Sequence, residues 1–349
     1  MKIKYIFFIQ LMLWVFACNN DDNPGIANTS FERDKGIFIL NEGIFTQGNA
    51  SVDYYDWIND SLYTGIYEKI NGEKAGDVLQ SMTIQGKYAY LALNNSSCIK
   101  KVSIEDFKLS ATIKGLQSPR YILPVNKEKL YVSDLYSGKI YVISPIHNTI
   151  TKEIYTGQWT ETWALYEDMA FVTCPWFYST PASKKILVLN TATDEITDSI
   201  SVCINPQQIA ADKNGKIWVL CGGNSYENIK GGLFKIDANT TVIEDSMTFG
   251  KTQQTFNNSL VLNEGRDTLF ILYNDVYSLA VKDGISKLKK IFTPGKDDIY
   301  GMSIDNKRQL LYIMHAPANS KGYISVYTKK GIKIKTIKAG YYPNSVVPY

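Results

Sequence analysis

Residues 118–134 read SPRYILPVNKEKLYVSD and contain the unit that the rest of the chain repeats. An apolar segment over 121–125 runs into a polar turn over 126–129, and a second apolar segment over 130–133 follows. Short apolar runs separated by a polar turn indicate two antiparallel strands. Clear copies of this unit begin at Leu79, Asn205 and Ile299, and weaker copies begin near Glu161 and Phe256.

The spacing of these copies predicts the fold class. The residue three positions after the proline, or its equivalent, serves as a marker, and successive markers lie 40 to 50 residues apart. The markers are Met82, Ile122, Ala164, Ile209, Ser259, Met302 and Val346. A period of this length with about four short strands per repeat is typical of an all-β propeller, because one unit cannot bury its own faces.

The two ends of the repeat region predict how the ring closes. Residues 36–43 (GIFILNEG) match the second strand of the unit and lack the first, which returns at 343–347. The C-terminal strand is therefore expected to complete the N-terminal blade and leave no open edge. We predict seven blades. An open β-solenoid or two stacked β-sandwiches would not explain the returned strand.

The first residues have the features of a lipoprotein leader. Lys2 and Lys4 precede an apolar run over 5–17, which is short for a bilayer span, and Cys18 follows. The sequence before and including Cys18 resembles a bacterial lipobox, and residues 19–24 (NNDDNP) resemble a surface-export signal of Bacteroidetes lipoproteins. We expect a signal peptide over 1–17, a lipidated Cys18 with a tether over 18–34, and one propeller domain over 35–349. An ordinary secretory peptide with an incidental Cys18 is the alternative.

Composition fits one large extracytoplasmic domain. The chain is 45% hydrophobic and 13% aromatic, which is ample material for a core. Its net charge is only +3, with lysines spread through predicted turns, so we expect no nucleic-acid partner. Cys98, Cys174, Cys203 and Cys221 match no zinc pattern. A disulfide between Cys203 and Cys221 and buried free thiols are both compatible with the predicted strand register.

The two faces of the predicted ring differ. Strands A and B, and C and D, join through plain hydrophilic turns on one face. The B–C and D–A loops on the other face are longer and rich in aromatic, Asn and Gln residues, which suggests a binding surface. The candidate contacts from these loops and from the adjoining strand ends are Phe45, Trp159, Trp163, Trp176, Phe177, Tyr178, Tyr226, Tyr300, His315 and Tyr342.

The mouth of the central channel is predicted from the residues just before each marker. Gln80, Arg120, Tyr121, Gln207, Asn257 and Asn344 belong to this set, and Arg120 is its only charged member. A ring of amides, hydroxyls and aromatic groups suits a large, nearly neutral ligand with many amide or hydroxyl groups. These side chains could instead satisfy one another and channel water.

Residues 39–55 carry a family resemblance. They include Asn41, Glu42, Gly43, Gly48 and Asn49, and they resemble the N-E-G-x-F-x-x-G-N-x-S signature of Bacteroidetes surface lipoproteins with a seven-bladed, YncE-like propeller. The resemblance implies surface exposure at the outer membrane, non-catalytic capture of cobalamin or a related corrinoid, and delivery to a TonB-dependent transporter. It implies no required cofactor and no metal. Individual ligand contacts do not follow from the motif.

Other function classes stay open. A calcium-dependent propeller lactonase or hydrolase would need carboxylates at the channel, and none stands at the predicted mouth positions. His315 has no nucleophile motif around it, so we expect no enzyme activity. A glycan- or protein-binding propeller is the main alternative, because aromatic platforms also stack on sugars.

Overall fold

The computed structural model describes residues 30–175, 183–253, 258–295 and 298–349. The described strands form seven four-stranded antiparallel sheets, arranged as the blades of a β-propeller. In each blade we call the strands A to D from the channel outwards. The prediction of a seven-bladed, all-β propeller is confirmed.

The strands of the blades have the following bounds. Blade 1 contains β28 (Pro343–Pro348), β1 (Gly36–Asn41), β2 (Ser51–Asp56) and β3 (Ser61–Tyr63). Blade 2 contains β4 (Leu79–Gln85), β5 (Tyr88–Leu93), β6 (Cys98–Ser103) and β7 (Leu109–Lys114). Blade 3 contains β8 (Pro119–Asn126), β9 (Lys129–Asp134), β10 (Lys139–Ser144) and β11 (Thr149–Tyr155). Blade 4 contains β12 (Trp163–Tyr166), β13 (Met169–Cys174), β14 (Lys185–Asn190) and β15 (Glu195–Ser201).

The remaining blades follow the same order. Blade 5 contains β16 (Pro206–Ala211), β17 (Lys216–Cys221), β18 (Gly232–Asp237) and β19 (Ile243–Thr248). Blade 6 contains β20 (Ser259–Leu262), β21 (Thr268–Tyr273), β22 (Asp275–Ala280) and β23 (Lys289–Phe292). Blade 7 contains β24 (Ile299–Asp305), β25 (Leu310–His315), β26 (Tyr323–Thr328) and β27 (Lys333–Lys338). Within the described residues, short 3₁₀ segments occur at Asn94–Ser96 and Ile285–Lys287.

Ring closure takes the predicted form. The last strand, β28, pairs with β1 and stands innermost in blade 1, with Leu40 opposite Ser345 and Ile37 opposite Pro348. The first and last strands thus belong to one sheet. The edge of β1 that an open ring would expose is hydrogen-bonded to β28.

The core lies between blades. The described buried side chains form seven apolar clusters, and each draws its members from adjacent blades. In the cluster between blades 1 and 2, Phe38 stacks on Phe107 at a centroid distance of 5.2 Å. Alternation along each strand places side chains on both faces of a blade, so each blade needs a neighbour on both sides.

One D–A loop contains a helix that the strand repeat does not predict. Helix α1 (Ile66–Asn71) lies between β3 and β4 and begins and ends at left-handed Gly65 and Gly72. Its buried residues, Ile66 and Tyr67, belong to the cluster between blades 1 and 2.

The chain enters the propeller on the face of the A–B and C–D turns, which we call the turn face. The Phe31 amide donates to Glu105 O at 2.7 Å, and the Trp57 amide donates to Lys35 O at 3.0 Å. Asp34 O accepts from the Arg308 guanidinium. Glu105, Trp57 and Arg308 all belong to turns of this face. The opposite face, formed by the B–C and D–A loops, we call the loop face.

Candidate functional site

The mouth of the channel lies on the loop face, where the A strands begin. These strands contact one another around the ring, so they line the channel. In five blades the pairing of A with B shifts by one or two residues at this end, at positions 80, 120–121, 207, 300 and 344. A β-bulge re-aims a side chain away from its usual face. The bulges therefore place the predicted residues Gln80, Arg120, Tyr121, Gln207, Tyr300 and Asn344 around the mouth.

Arg120 forms the central ion pair of the mouth. Its Nε donates to Glu161 Oε2 at 2.8 Å, and its two terminal nitrogens donate to Glu161 Oε1 and to Gln80 Oε1. The side chains of Arg120 and Glu161 are only 14% and 11% exposed. Burial acts to lower the pKa of the guanidinium, but the charge and hydrogen bonds of Glu161 outweigh it and raise the pKa. Arg120 is therefore fully charged and fully paired.

Glu42 is the second carboxylate at the mouth. Its Oε2 accepts a hydrogen bond from the Tyr300 hydroxyl at 2.8 Å, and its Oε1 accepts one from Asn344 Nδ2 at 3.0 Å. Burial raises the pKa of Glu42, although both hydrogen bonds and the Arg120 charge act to lower it. The neutral form of this carboxyl is favoured relative to a carboxyl in water.

These two centres belong to one network. Asn344 Nδ2 lies 2.9 Å from Leu79 O and 3.0 Å from Gln80 O, and Gln80 Nε2 donates to the Tyr121 hydroxyl at 3.2 Å. Burial raises the pKa of Tyr121 to about 12, and the Glu161 charge adds to this. The network spans blades 1, 2, 3, 4 and 7. The expectation that Arg120 is the only charge at the mouth is wrong, because Glu42 and Glu161 reach it from loops outside the A strands.

The stretch of residues 41–49 in blade 1 shapes the loop that holds Glu42. Gly43 has φ of +82°, and a Cβ there would lie 2.6 Å from the Ala50 amide, so a side chain is excluded. Asn49 Oδ1 accepts from the Ile44 amide at 2.7 Å. Asn41 Nδ2 donates to Asp53 at 2.8 Å, and Asn41 Oδ1 accepts from the Gly340 amide at 2.8 Å. These residues serve loop geometry, and their effect is to direct Glu42 to the mouth.

The other side of the mouth, in blades 5 and 6, carries amides. Asn258 Nδ2 donates to Gln207 Oε1 at 2.7 Å, and Thr162 Oγ1 donates to Gln207 O at 2.9 Å. Gly222 lies against this group, because a Cβ there would fall 2.8 Å from Gln207 Cδ. The predicted contact Asn257 lies outside the described residues, as do Trp176, Phe177, Tyr178 and the predicted lipidation site Cys18.

Aromatic side chains stand exposed around the loop face. Phe45 is 65% exposed and Tyr226 is 80% exposed, as the loop assignment predicts. Trp159 packs edge-on against Tyr136, with ring centroids 5.9 Å apart. Tyr136 is 57% exposed and was missed, because its B–C loop is too short to stand out in the sequence. Tyr342 packs edge-on against Tyr300, with ring centroids 5.9 Å apart, and this contact links the exposed loop face to the mouth.

Two predicted contacts lie at strand ends. Trp163 begins β12, is half-buried, donates Nε1 to Tyr121 O at 3.2 Å and packs 5.9 Å from the Tyr131 ring, so its contact with a ligand stays a prediction. His315 ends β25, is 2% exposed and stacks on Tyr323 at 4.3 Å. The assignment of His315 to an accessible ligand surface is wrong, because its side chain is buried.

Cys203 and Cys221 form a disulfide on the loop-face side of blade 5. Cys98 and Cys174 are free and buried, and burial raises the pKa of Cys174 to about 12. Both of the alternatives that the sequence left open therefore occur, in different cysteine pairs.

Two searches of the described residues returned nothing. Within those ranges, no three His, Cys, Asp or Glu side chains are grouped so that they could hold a metal ion. In the same part of the chain, no helix has the length and apolar character needed to span a membrane.

Comparison with solved structures shows the class of fold to which this chain belongs. The solved structures that resemble this chain are propellers at low identity. A quinonprotein alcohol dehydrogenase-like protein from Bacteroides thetaiotaomicron has 13% identity and a TM-score of 0.71, with 90% of this chain and 78% of that chain covered. Kuenenia stuttgartiensis hydrazine synthase has 14% identity and a TM-score of 0.65, over 76% and 87%. The dihydro-heme d1 dehydrogenase NirN, solved with its ligand DHE, has 9% identity and a TM-score of 0.61, over 92% and 77%. At these identities the likeness shows the fold alone.

The family follows from a sequence model. Residues 35–347 match the domain of unknown function DUF5074, and the chain belongs to that family. No curated protein matches the chain.

Proposed function

We propose that this propeller captures a large, nearly neutral ligand on its loop face without chemical change, and that cobalamin or a related corrinoid is the first candidate. One observation carries the proposal: the mouth is rich in hydrogen-bonding groups but compensated in charge. Arg120 is paired with Glu161. Burial raises the pKa of Glu42, which favours the neutral form of this carboxyl. A polyanion would find no unpaired cation in this network.

The amides of the mouth and the exposed aromatic residues of the loop face support an amphipathic ligand. A corrinoid is a broad disc fringed with amides, so its edge suits the amides of Gln207 and Asn258 and its faces suit aromatic rings. Phe45, Tyr136 and Tyr226 stand exposed on the loop face. Exposed aromatic groups on a rigid scaffold are the usual anchors of a binding site.

The proposal includes a location and a partner. Lipidation at Cys18 would anchor the protein at the outer face of an outer membrane, and a TonB-dependent transporter would receive the ligand. The described chain enters the propeller on the turn face, so this entry leaves the loop face clear for a ligand. The disulfide between Cys203 and Cys221 supports an oxidising, extracytoplasmic compartment.

The test is calorimetry with the chain of residues 19–349, cyanocobalamin and haem as a control. We expect selective binding of the corrinoid, weakened about tenfold by Gln207→Ala, the loss expected for one buried hydrogen-bonding group. Tyr226→Ala should also weaken binding. Ile332→Ala is the matched control, because Ile332 is exposed on the turn face. Equal affinity for haem, or no binding of either compound, would overturn the corrinoid assignment.

Glycan capture is the second candidate, and one observation favours it. Carboxylates that grip sugar hydroxyls beside aromatic platforms are typical of glycan sites, and Glu42 and Glu161 lie at the mouth. Both carboxylates already accept hydrogen bonds from within the network, which is why we place this candidate second. Binding of the same chain to a glycan panel, lost in Tyr226→Ala, would reverse the order. The absence of enzyme activity stays a prediction, which lactone hydrolysis assays with and without calcium would check.

A further inference from the structure

A groove of about 500 Å³ opens on the turn face between blades 2 and 3, far from the site described above. Its walls are the A–B turns of the two blades and the C–D turn of blade 3, and strands β5 and β6 form its floor. The lining residues are Gln85, Gly86, Lys87, Tyr88, Tyr90, Lys101, Lys127, Pro145 and Ile146.

Three cations converge on this groove. Lys87 and Lys127 are exposed on its walls, and Lys101 is buried on its floor. No ion pair joins any of the three to a carboxylate within the described residues, whereas Lys129, Lys213 and Lys216 on the same face each have an acidic partner. The groove therefore carries a local excess of positive charge.

The groove is built by bonds between the blades. Gln85 Nε2 donates to Asn126 O at 2.7 Å, which fixes one A–B turn against the next. Lys101 Nζ donates to Pro145 O at 2.7 Å and to Asn148 Oδ1 at 3.0 Å, and it lies 4.1 Å from the centre of the Tyr88 ring. Burial lowers the pKa of Lys101, and the nearby Lys87 cation adds to this. A bound anion would relieve the repulsion between these two lysines.

An exposed aliphatic side chain stands at the edge of the groove. Ile146 is 59% exposed at the tip of the C–D turn of blade 3. The combination of an exposed aliphatic side chain with flanking lysines is the pattern that meets a lipid surface, where phosphates lie beside acyl chains.

The groove also lies near the point where the chain enters the propeller. The Phe31 amide bonds to Glu105 O, and in the same turn the Ile104 amide bonds to Lys87 O at 3.0 Å. Phe31 therefore lies beside the groove, on the same face. A chain held to a membrane at its N-terminal end would present this groove to the membrane surface.

We propose that the groove between blades 2 and 3 binds the phosphate groups of anionic lipids at a membrane surface, with Lys87 and Lys127 as the phosphate contacts and Ile146 inserted beside them. This contact would orient the propeller on the membrane. It does not depend on the identity of the loop-face ligand.

The test uses the unlipidated chain of residues 19–349, so that no acyl anchor contributes. Sedimentation with phosphatidylcholine vesicles that contain phosphatidylglycerol is compared with sedimentation with phosphatidylcholine alone. We expect binding to the anionic vesicles only, weakening with salt. Lys87→Gln with Lys127→Gln should reduce partitioning about twenty-fivefold, since each lysine near an anionic surface contributes roughly fivefold. Ile146→Ser should reduce it further.

The matched control removes the same charge elsewhere on the turn face. Lys330→Gln with Lys333→Gln alters two exposed lysines of blade 7, and we expect partitioning within about twofold of the unaltered chain because the phosphate contacts remain. An equal loss of partitioning in both double variants would assign vesicle binding to the whole turn face and would overturn the proposal of a specific groove. Inorganic phosphate is also compared with chloride at the same ionic strength. Release of the protein from vesicles by phosphate but not by chloride would assign the groove to free phosphate and overturn the lipid proposal. No binding to anionic vesicles would also overturn it.

Discussion

Glu42 Oε2 accepts a hydrogen bond of 2.8 Å from the Tyr300 hydroxyl, and this bond joins blade 1 to blade 7 at the mouth of the channel. The two residues are 258 positions apart in the chain. The bond can form only when the ring is closed, because β28 brings blade 1 against β24. The titratable side chain of Glu42 therefore takes part in the contacts that close the ring of blades.

This position predicts how stability depends on pH. The pKa of Glu42 is raised by burial, so the folded state holds its proton more tightly than the unfolded chain. The resulting stabilisation is complete below the unfolded pKa and is lost as the pH rises through the folded pKa. We expect Glu42→Gln to remove this loss, so that its midpoint of urea unfolding falls less than that of the unaltered chain between acidic and neutral pH. Parallel pH profiles for the two chains would contradict the prediction.

The Arg120–Glu161 pair predicts a large and asymmetric cost of truncation. Arg120→Met leaves the Glu161 carboxylate buried without its partner, which typically lowers the free energy of unfolding by about 3 kcal/mol or more. Replacing both residues by apolar ones should recover much of the loss, because no buried charge is then left unpaired. Urea unfolding measures all three chains.

The matched control for that pair is Lys213 with Asp267. Their side chains are 52% and 43% exposed, so Lys213→Gln should change the free energy of unfolding by less than about 1 kcal/mol. Equal effects at the two pairs would mean that Arg120 and Glu161 are solvated in solution.

How much the sequence can predict depends on whether a feature repeats. The blade count and the returned strand follow from a pattern present seven times, and Gln80, Arg120, Gln207 and Asn344 follow from one position in that pattern. Glu42 stands in a loop that differs from blade to blade, so no repeat marks it. Glu161 stands three residues before the marker Ala164, at the position of the proline. The other copies carry an apolar residue there, so the repeat does not predict a charge.

Burial explains the error at His315. This residue is near a loop in sequence, but it is the terminal residue of a strand, where alternation decides which way the side chain turns. A shift of one residue in the register reverses that direction, and the sequence does not fix strand ends so closely.

Trp163 and Tyr226 should therefore respond differently to truncation. Trp163→Ala removes a ring that packs beside Tyr131 and donates to Tyr121 O, so we expect a loss of about 3 kcal/mol in the free energy of unfolding. Tyr226→Ala removes an exposed ring and should cost less than about 0.5 kcal/mol. Thermal unfolding of the two variants measures this contrast, and a Trp163→Ala chain as stable as the Tyr226→Ala chain would contradict it.

The cysteines provide a chemical test of the fold. Cys203 and Cys221 are 18 residues apart, and loss of their disulfide in a Cys203→Ser, Cys221→Ser chain should lower the free energy of unfolding by about 3 kcal/mol. Cys98 and Cys174 are buried, and burial raises the pKa of both thiols, so both should react slowly in the folded chain and readily in urea. Thiol titration of residues 19–349 should find two reactive groups after unfolding without reductant. Four reactive groups would contradict the disulfide.

Removal of the last strand tests the closure of the ring directly. A chain ending at Tyr342 lacks β28, so the edge of β1 and the apolar surface around Val346 are exposed together. It also lacks Asn344, which donates to Glu42 and to the backbone of blade 2. We expect this chain to lose cooperative unfolding or to self-associate, because an unpaired inner strand recruits other chains. Addition of a peptide of residues 343–349 should restore a single unfolding transition. A truncated chain that unfolds like the complete one would show that blade 1 is stable with three strands, and that closure does not hold the ring together.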